Sequence, residues 1–279
     1  MNLSTAIELY LLDCNVRRLR QRSIKLYEIV LTQFKKNTQL DRVEDITPTI
    51  IKHYSIYLQK YSVSYQRSTL TVIKAFVTYL GKDEIADIKI KIKLPAKENK
   101  IKQALTTTEI KQILCECRTK RDELLILFLL DTGIRASELI GIDIKDVDLV
   151  QGLVKIRQGK TGERFVSIGV KVRKLQIIYL SKIPDKNRPL FVSSYKQRFS
   201  RSGITGFFKR LAKRTNIAHC HAHTFRRTFA INCLRNGMNI HILARLMGHS
   251  DIQMLKWYLD IDTTDLKHQH SVASPVDNL

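Results

Sequence analysis

Val147-Asp148-Leu149-Val150-Gln151-Gly152-Leu153-Val154-Lys155-Ile156-Arg157, then Gly159-Lys160-Thr161-Gly162, then Arg164-Phe165-Val166-Ser167-Ile168, is the stretch that decides the fold. Apolar and polar residues alternate here with the period of two that half-buried strands require. Gly152 marks a turn inside the first run, and Gly159 and Gly162 flank a hairpin tip that carries Lys160. Elsewhere the apolar spacing is helical. The chain is therefore expected to be mainly α with a small antiparallel β-sheet, an α+β class.

Working back toward the start, Leu3, Ile7 and Leu11 fall on one face of a helix, as do Ile24, Tyr27, Val30, Leu31 and Phe34. Thr47-Pro48 supplies an N-cap and a proline at the first helical position, ahead of Ile51, Tyr54 and Leu58. A fourth helix is expected from Ser64 to Leu80, with Gly81 as its stop. Lys89 to Gln103 is rich in lysine, contains Pro95 and shows no sustained apolar face, so it reads as a solvated linker. Helices resume at Thr106-Thr107-Thr108-Glu109, a capping-box pattern, and the apolar run Leu124–Leu130 reads as a buried helix segment. From about Lys171 onward the pattern is helical again. The domains are expected at 1–90, with a basic linker at 91–104, and at 105–279.

Composition narrows the partner. Forty-eight Lys and Arg against 26 Asp and Glu give a net charge of +22. So large a charge repels itself, and a polyanion is the natural counterpart. Residues 1–100 hold 18 basic and 10 acidic groups and residues 101–279 hold 30 and 16, so both halves are expected to touch nucleic acid. Five cysteines without a CxxC pair read as reduced thiols in a cytosolic protein. The start, Met1-Asn2-Leu3-Ser4, shows no basic-then-apolar leader, and Leu124–Leu130 is far too short to span a bilayer.

Four short runs could carry chemistry: Thr132-Gly133-Ile134-Arg135-Ala136-Ser137-Glu138-Leu139, His223-Thr224-Phe225-Arg226, Met247-Gly248-His249-Ser250 and Lys256-Trp257-Tyr258. In-line attack on a phosphodiester builds negative charge on the non-bridging oxygens, and forked, permanently charged guanidiniums such as Arg135 and Arg226 match that charge. His223 precedes Arg226 by three residues and shares its helix face. A tyrosine can form a covalent intermediate with the strand it cuts, given help in losing its proton, and His223 or the cationic surroundings are suited to provide it. Lys160, at a hairpin tip, is a suitable donor to the departing oxygen. The run His219-Cys220-His221-Ala222-His223 could place alternating metal ligands on a strand, but no second ligand cluster is apparent.

The ordered set resembles the tyrosine recombinase (phage integrase) family over nearly the whole chain. The resemblance implies a helical core-binding domain followed by a mixed catalytic domain. It implies catalytic roles for Arg135, Lys160, His223, Arg226 and His249, with Tyr258 as nucleophile and Glu138 supporting the site. Arg227 stands where relatives often have histidine, and Trp257 is expected to pack the helix that bears the nucleophile. The implied chemistry needs no metal and no cofactor.

The function implied is site-specific recombination through a 3′-phosphotyrosine intermediate, for integration or excision of a mobile element or phage. Resolution of chromosome or plasmid dimers is the alternative. A type IB topoisomerase-like enzyme and a binding-only regulator are the remaining rivals. Partners implied are double-stranded DNA core sites, a homo-tetramer in the synapse, and accessory DNA-bending or directionality proteins, with no membrane. The location expected is cytoplasmic, with the nucleoid of a prokaryote. Because the chain begins almost directly with helices, no arm-binding domain is expected. Arg67, Lys74, Arg198 and Arg201 are candidate DNA contacts, and residues 260–279 are suited to docking on a neighbouring protomer or to folding back on their own subunit.

Overall fold

The computed structural model describes residues 1–82, 90–96, 103–159, 162–181, 183, 185–248 and 276. The chain divides into two compact units, residues 1–101 and 102–279.

The first unit holds α1 (Leu3–Val16), α2 (Gln21–Thr38), α3 (Pro48–Tyr57) and α4 (Val63–Lys82). Thr47 caps α3 by accepting the Ile50 N–H at 3.3 Å. The core is aromatic: Tyr10 meets Tyr27, Phe76 and Tyr79, while Phe34 stands edge-on to Tyr54. Two expectations need correction. The fourth helix runs through Gly81 to Lys82, so that glycine does not stop it. Residues 90–96 are not a solvated linker, because Ile92 is buried on the first unit's core and Ile90 and Leu94 pack beside it. Their period-two spacing among lysines is the signature of an extended strap with one apolar edge.

The second unit opens with α5 (Thr107–Cys115), capped reciprocally by Thr106 and Glu109. α6 (Lys120–Thr132) is the buried helix read from Leu124–Leu130, and α7 (Ala136–Gly141) follows after a three-residue turn. The sheet comes next: β1 (Val147–Asp148), β2 (Leu153–Gly159) and β3 (Gly162–Ser167), antiparallel in the order β1-β2-β3. Val154 pairs with Val166 and Ile156 with Arg164, so this register turns Val154, Ile156 and Val166 into the core.

Four helices complete the described part: α8 (Val170–Leu180), α9 (Arg201–Thr215), α10 (Ala222–Arg235) and α11 (Ile240–Met247). Between α8 and α9 the described chain from Asp185 to Ser200 is irregular rather than helical, held by bridges such as Asp143 to Pro189. α11 docks on α10 through Phe229, Ala230, Leu243, Ala244 and Met247. Full burial of Leu243 and Met247 contributes about 1.5–3 kcal/mol each. None of the described helices is long and apolar enough to cross a membrane.

Candidate active site

The site begins where α6 ends. Gly133 adopts a left-handed backbone (φ +58°), and its N–H donates to the Leu129 carbonyl at 3.1 Å. A Cβ at this position would lie 2.1 Å from a ring carbon of Phe229 on α10. Only glycine allows both the turn and so close an approach. Ile134 is then buried, and Arg135 stands at the N-cap of α7 in extended conformation.

Glu138, one turn into α7, reaches back to that arginine. The Arg135 N–H donates to Glu138 Oε2 at 2.8 Å and Arg135 Nη1 to Oε1 at 2.9 Å. The same carboxylate accepts from Arg164 on β3, Nη1 to Oε1 at 3.0 Å and Nη2 to Oε2 at 2.9 Å. Glu138 is 3% exposed. Burial pushes its carboxyl up, but the bonds from Arg164 and from the Arg135 main chain and side chain outweigh that. The group is held below the ordinary glutamate range. Two guanidiniums on one carboxylate leave this cluster net positive.

The other wall is the end of α11. A helix end leaves its last carbonyls without partners in the helix, and cations are favoured there. Arg164 Nε donates to the Leu246 carbonyl at 3.0 Å, and Arg135 Nη2 to that of Gly248 at 3.1 Å. Arg226, buried on α10, donates from Nη2 to the Met247 carbonyl at 2.6 Å and from Nη1 to that of Gly133 at 2.7 Å. Arg135 Nη1 also reaches the Met247 carbonyl, at 3.5 Å. Gly248 closes α11 in left-handed conformation (φ +61°), and His249 is the next residue in the chain. Arg135 and Arg226, 91 positions apart in the sequence, thus share one carbonyl.

His223 lies on α10 three residues before Arg226 and is exposed. The alternating-strand reading of His219, His221 and His223 does not describe this segment, since α10 starts at Ala222. His221 caps it by accepting the Thr224 N–H at 3.3 Å, and His219 lies 3.3 Å from Glu109. Lys160, His249, Trp257 and Tyr258 lie outside the described residues, as do the residues 260–279 apart from Val276.

Residues 103–265 match the model of the phage integrase family. This chain belongs to that family, the tyrosine recombinases. The recombinase is 30% identical over 187 residues to tyrosine recombinase XerA of Saccharolobus solfataricus, covering 67% of this chain and 62% of that protein. It is 27% identical over 254 residues to XerD of Halalkalibacterium halodurans, 85% of each. Among solved structures, that of XerA recombinase superposes with a TM-score of 0.56 at 25% identity, covering 98% of this chain and 99% of the other. The Tn1549 transposon integrase, solved with circular intermediate DNA, shares the fold with a TM-score of 0.78 at 18% identity, over 98% and 100% of the two chains. The enzyme is a DNA strand transferase.

The candidate DNA contacts of the recombinase are scattered. In the first unit Arg67 donates to the Pro95 carbonyl, and Lys74 lines an open cavity of about 530 Å³ with Arg17 and Lys82. In the second unit Arg201 is exposed at the start of α9, whereas Arg198 pairs with Asp143 and donates to the Ile140 carbonyl at 2.6 Å. Arg164 is the residue that reasoning from sequence passed over. Its signal was present: alternation along β3 turns Arg164 to the same face as buried Val166, and an inward arginine needs a carboxylate.

Proposed function

We propose that the recombinase cuts double-stranded DNA at short core sites by in-line attack of the Tyr258 oxygen on the scissile phosphorus. A phosphotyrosine bond forms to the 3′ end and the bond to the 5′ oxygen breaks. His223 takes the phenolic proton and Lys160 protonates the departing 5′ oxygen. Arg135 and Arg226 bind the non-bridging oxygens, and His249 hydrogen-bonds the phosphate or Tyr258. Attack by the 5′ hydroxyl of a partner strand then reverses the step, and the energy of the original phosphodiester is kept in the protein link. The observation that supports this reading is the convergence of Arg135 and Arg226 on the Met247 carbonyl, two residues before His249. Preorganised donors of this kind are each worth about 2–4 kcal/mol in the transition state.

Four protomers on two sites, cytoplasmic action with accessory DNA-bending proteins, and integration or excision of a mobile element complete the proposal. Dimer resolution is a second reading, favoured by the curated relatives named XerA and XerD. The test is Tyr258→Phe on a nicked suicide substrate. DNA binding survives and the covalent adduct disappears; an adduct of undiminished yield overturns the assignment. Cleavage is expected to be unchanged by EDTA. Recombination between two defined sites, without relaxation of arbitrary supercoiled plasmids, separates the enzyme from a type IB topoisomerase.

A further inference from the structure

Arg164 occupies an inward position of β3, opposite Ile156, while its neighbour Phe165 is 61% exposed. Three of its nitrogens have partners in two other elements. The fork takes both oxygens of Glu138, at 3.0 and 2.9 Å, and Nε takes the Leu246 carbonyl at 3.0 Å. The guanidinium also lies against Gly248, where a Cβ would meet its Cζ at 3.1 Å. The side chain is 11% exposed. In the chain, Arg164 follows Lys160 by four residues, and Gly248 immediately precedes His249.

We propose that Arg164 is a positioning residue for strand cleavage: it fixes the carboxylate that aims Arg135 and ties the strand leaving the Lys160 hairpin to the helix end leading into His249. The proposal rests on the functional reading above, and Arg164 itself contacts no reacting atom. Its effect is orientation rather than attachment, because each element it joins is also held by other means. α11 has its own apolar seat on α10, and Glu138 keeps the Arg135 N–H and guanidinium. What Arg164 adds is a second, forked hold on both Glu138 oxygens, from β3, beside the one that Arg135 supplies from the start of α7. A misplacement of about 1 Å in such a site costs about 100-fold in rate. Lysine at this position would keep the charge but, as a point donor, could not span both carboxylate oxygens and Leu246.

The experiment is a double-mutant cycle in the full-length enzyme. Single-turnover cleavage of a nicked core-site duplex is measured for wild type, Arg164→Ala, Arg135→Ala and the double variant, with DNA affinity measured in parallel. Arg164→Ala is expected to slow cleavage about 30- to 100-fold, with affinity within about threefold of wild type. Placed on Arg135→Ala, the same change is expected to cost less than about threefold more, because its effect passes through Arg135. Should Arg164→Ala fail to fold, Arg164→Lys takes its place in the cycle, with a loss of cleavage larger than its loss of affinity. Losses that multiply in the double variant, or affinity falling in step with rate, overturn the proposal. A wild-type enzyme that forms no adduct overturns the functional reading and this proposal with it. A normal adduct in wild type with undiminished cleavage by Arg164→Ala overturns this proposal alone.

Discussion

Among the described residues of the second unit stand two arginine–carboxylate clusters, and on the proposed function their difference separates chemistry from scaffolding. In one, Asp143 and Asp146 face Arg157 and Arg198, two charges against two. Arg157 donates to Asp146 at 2.7 Å and to Asp143 at 3.0 Å, with its side chain 34% exposed. In the other, Glu138 alone is shared by Arg135 and Arg164, and each arginine also donates to a carbonyl at the end of α11. The balanced cluster satisfies itself and clamps the loop between α7 and the sheet. The unbalanced one keeps positive charge at the end of α11, which on the proposed function is where a phosphate oxygen replaces a carbonyl as acceptor.

That contrast predicts its largest effect in rate. Arg226→Ala is expected to reduce single-turnover cleavage by the folded enzyme about 100- to 1,000-fold. Arg157→Ala is expected to leave cleavage by bound enzyme within about threefold and to lower Tm by about 2–4 °C. Equal rate losses in the two variants would erase the distinction.

A second, smaller effect appears in acid. Burial raises the Asp143 carboxyl, but Arg198 and Arg157 outweigh it and hold the group below the ordinary aspartate range. A depressed carboxyl stabilises the fold above its unfolded pKa, and that stability is lost as pH falls through the folded value. Asp143→Asn cannot titrate, so its Tm is expected to fall less than that of wild type between pH 6 and pH 3, about 1 unit below the ordinary aspartate value. An equal fall would mean that Asp143 carries none of the acid sensitivity. The smallest effect belongs to the Thr106–Glu109 cap, remote from both clusters in role. Thr106→Ala is expected to cost about 1 kcal/mol of stability in denaturant unfolding, with cleavage by folded enzyme unchanged.

Local patterns were legible before the structure. The period-two run around Gly159–Gly162 gave the hairpin, Thr106-x-x-Glu109 gave a cap, and the buried face of α6 followed from its apolar run. Arg135 and Arg226 were visible in their short runs and Glu138 through the family resemblance; the structure brings the two arginines together at the Met247 carbonyl and joins Glu138 to Arg135 directly. What spacing could not supply was partnership across the fold. Arg164 meets a carboxylate 26 residues away and a carbonyl 82 residues away, and Arg198 meets Asp143 across 55. Residues 90–96 were misread because lysines on the outer edge of a strap hide the apolar residues that hold its inner edge.

On the proposed chemistry Tyr258 becomes covalently joined to DNA during strand cleavage. The direct measurement is mass spectrometry of the trapped wild-type complex after nuclease and trypsin digestion. Cleavage after Lys256 gives the peptide 257–267, in which Tyr258 is the sole tyrosine. A 3′-linked nucleotide on that residue is expected; a nucleotide on any other side chain, or cut DNA with no attached peptide, would overturn the assignment of the nucleophile.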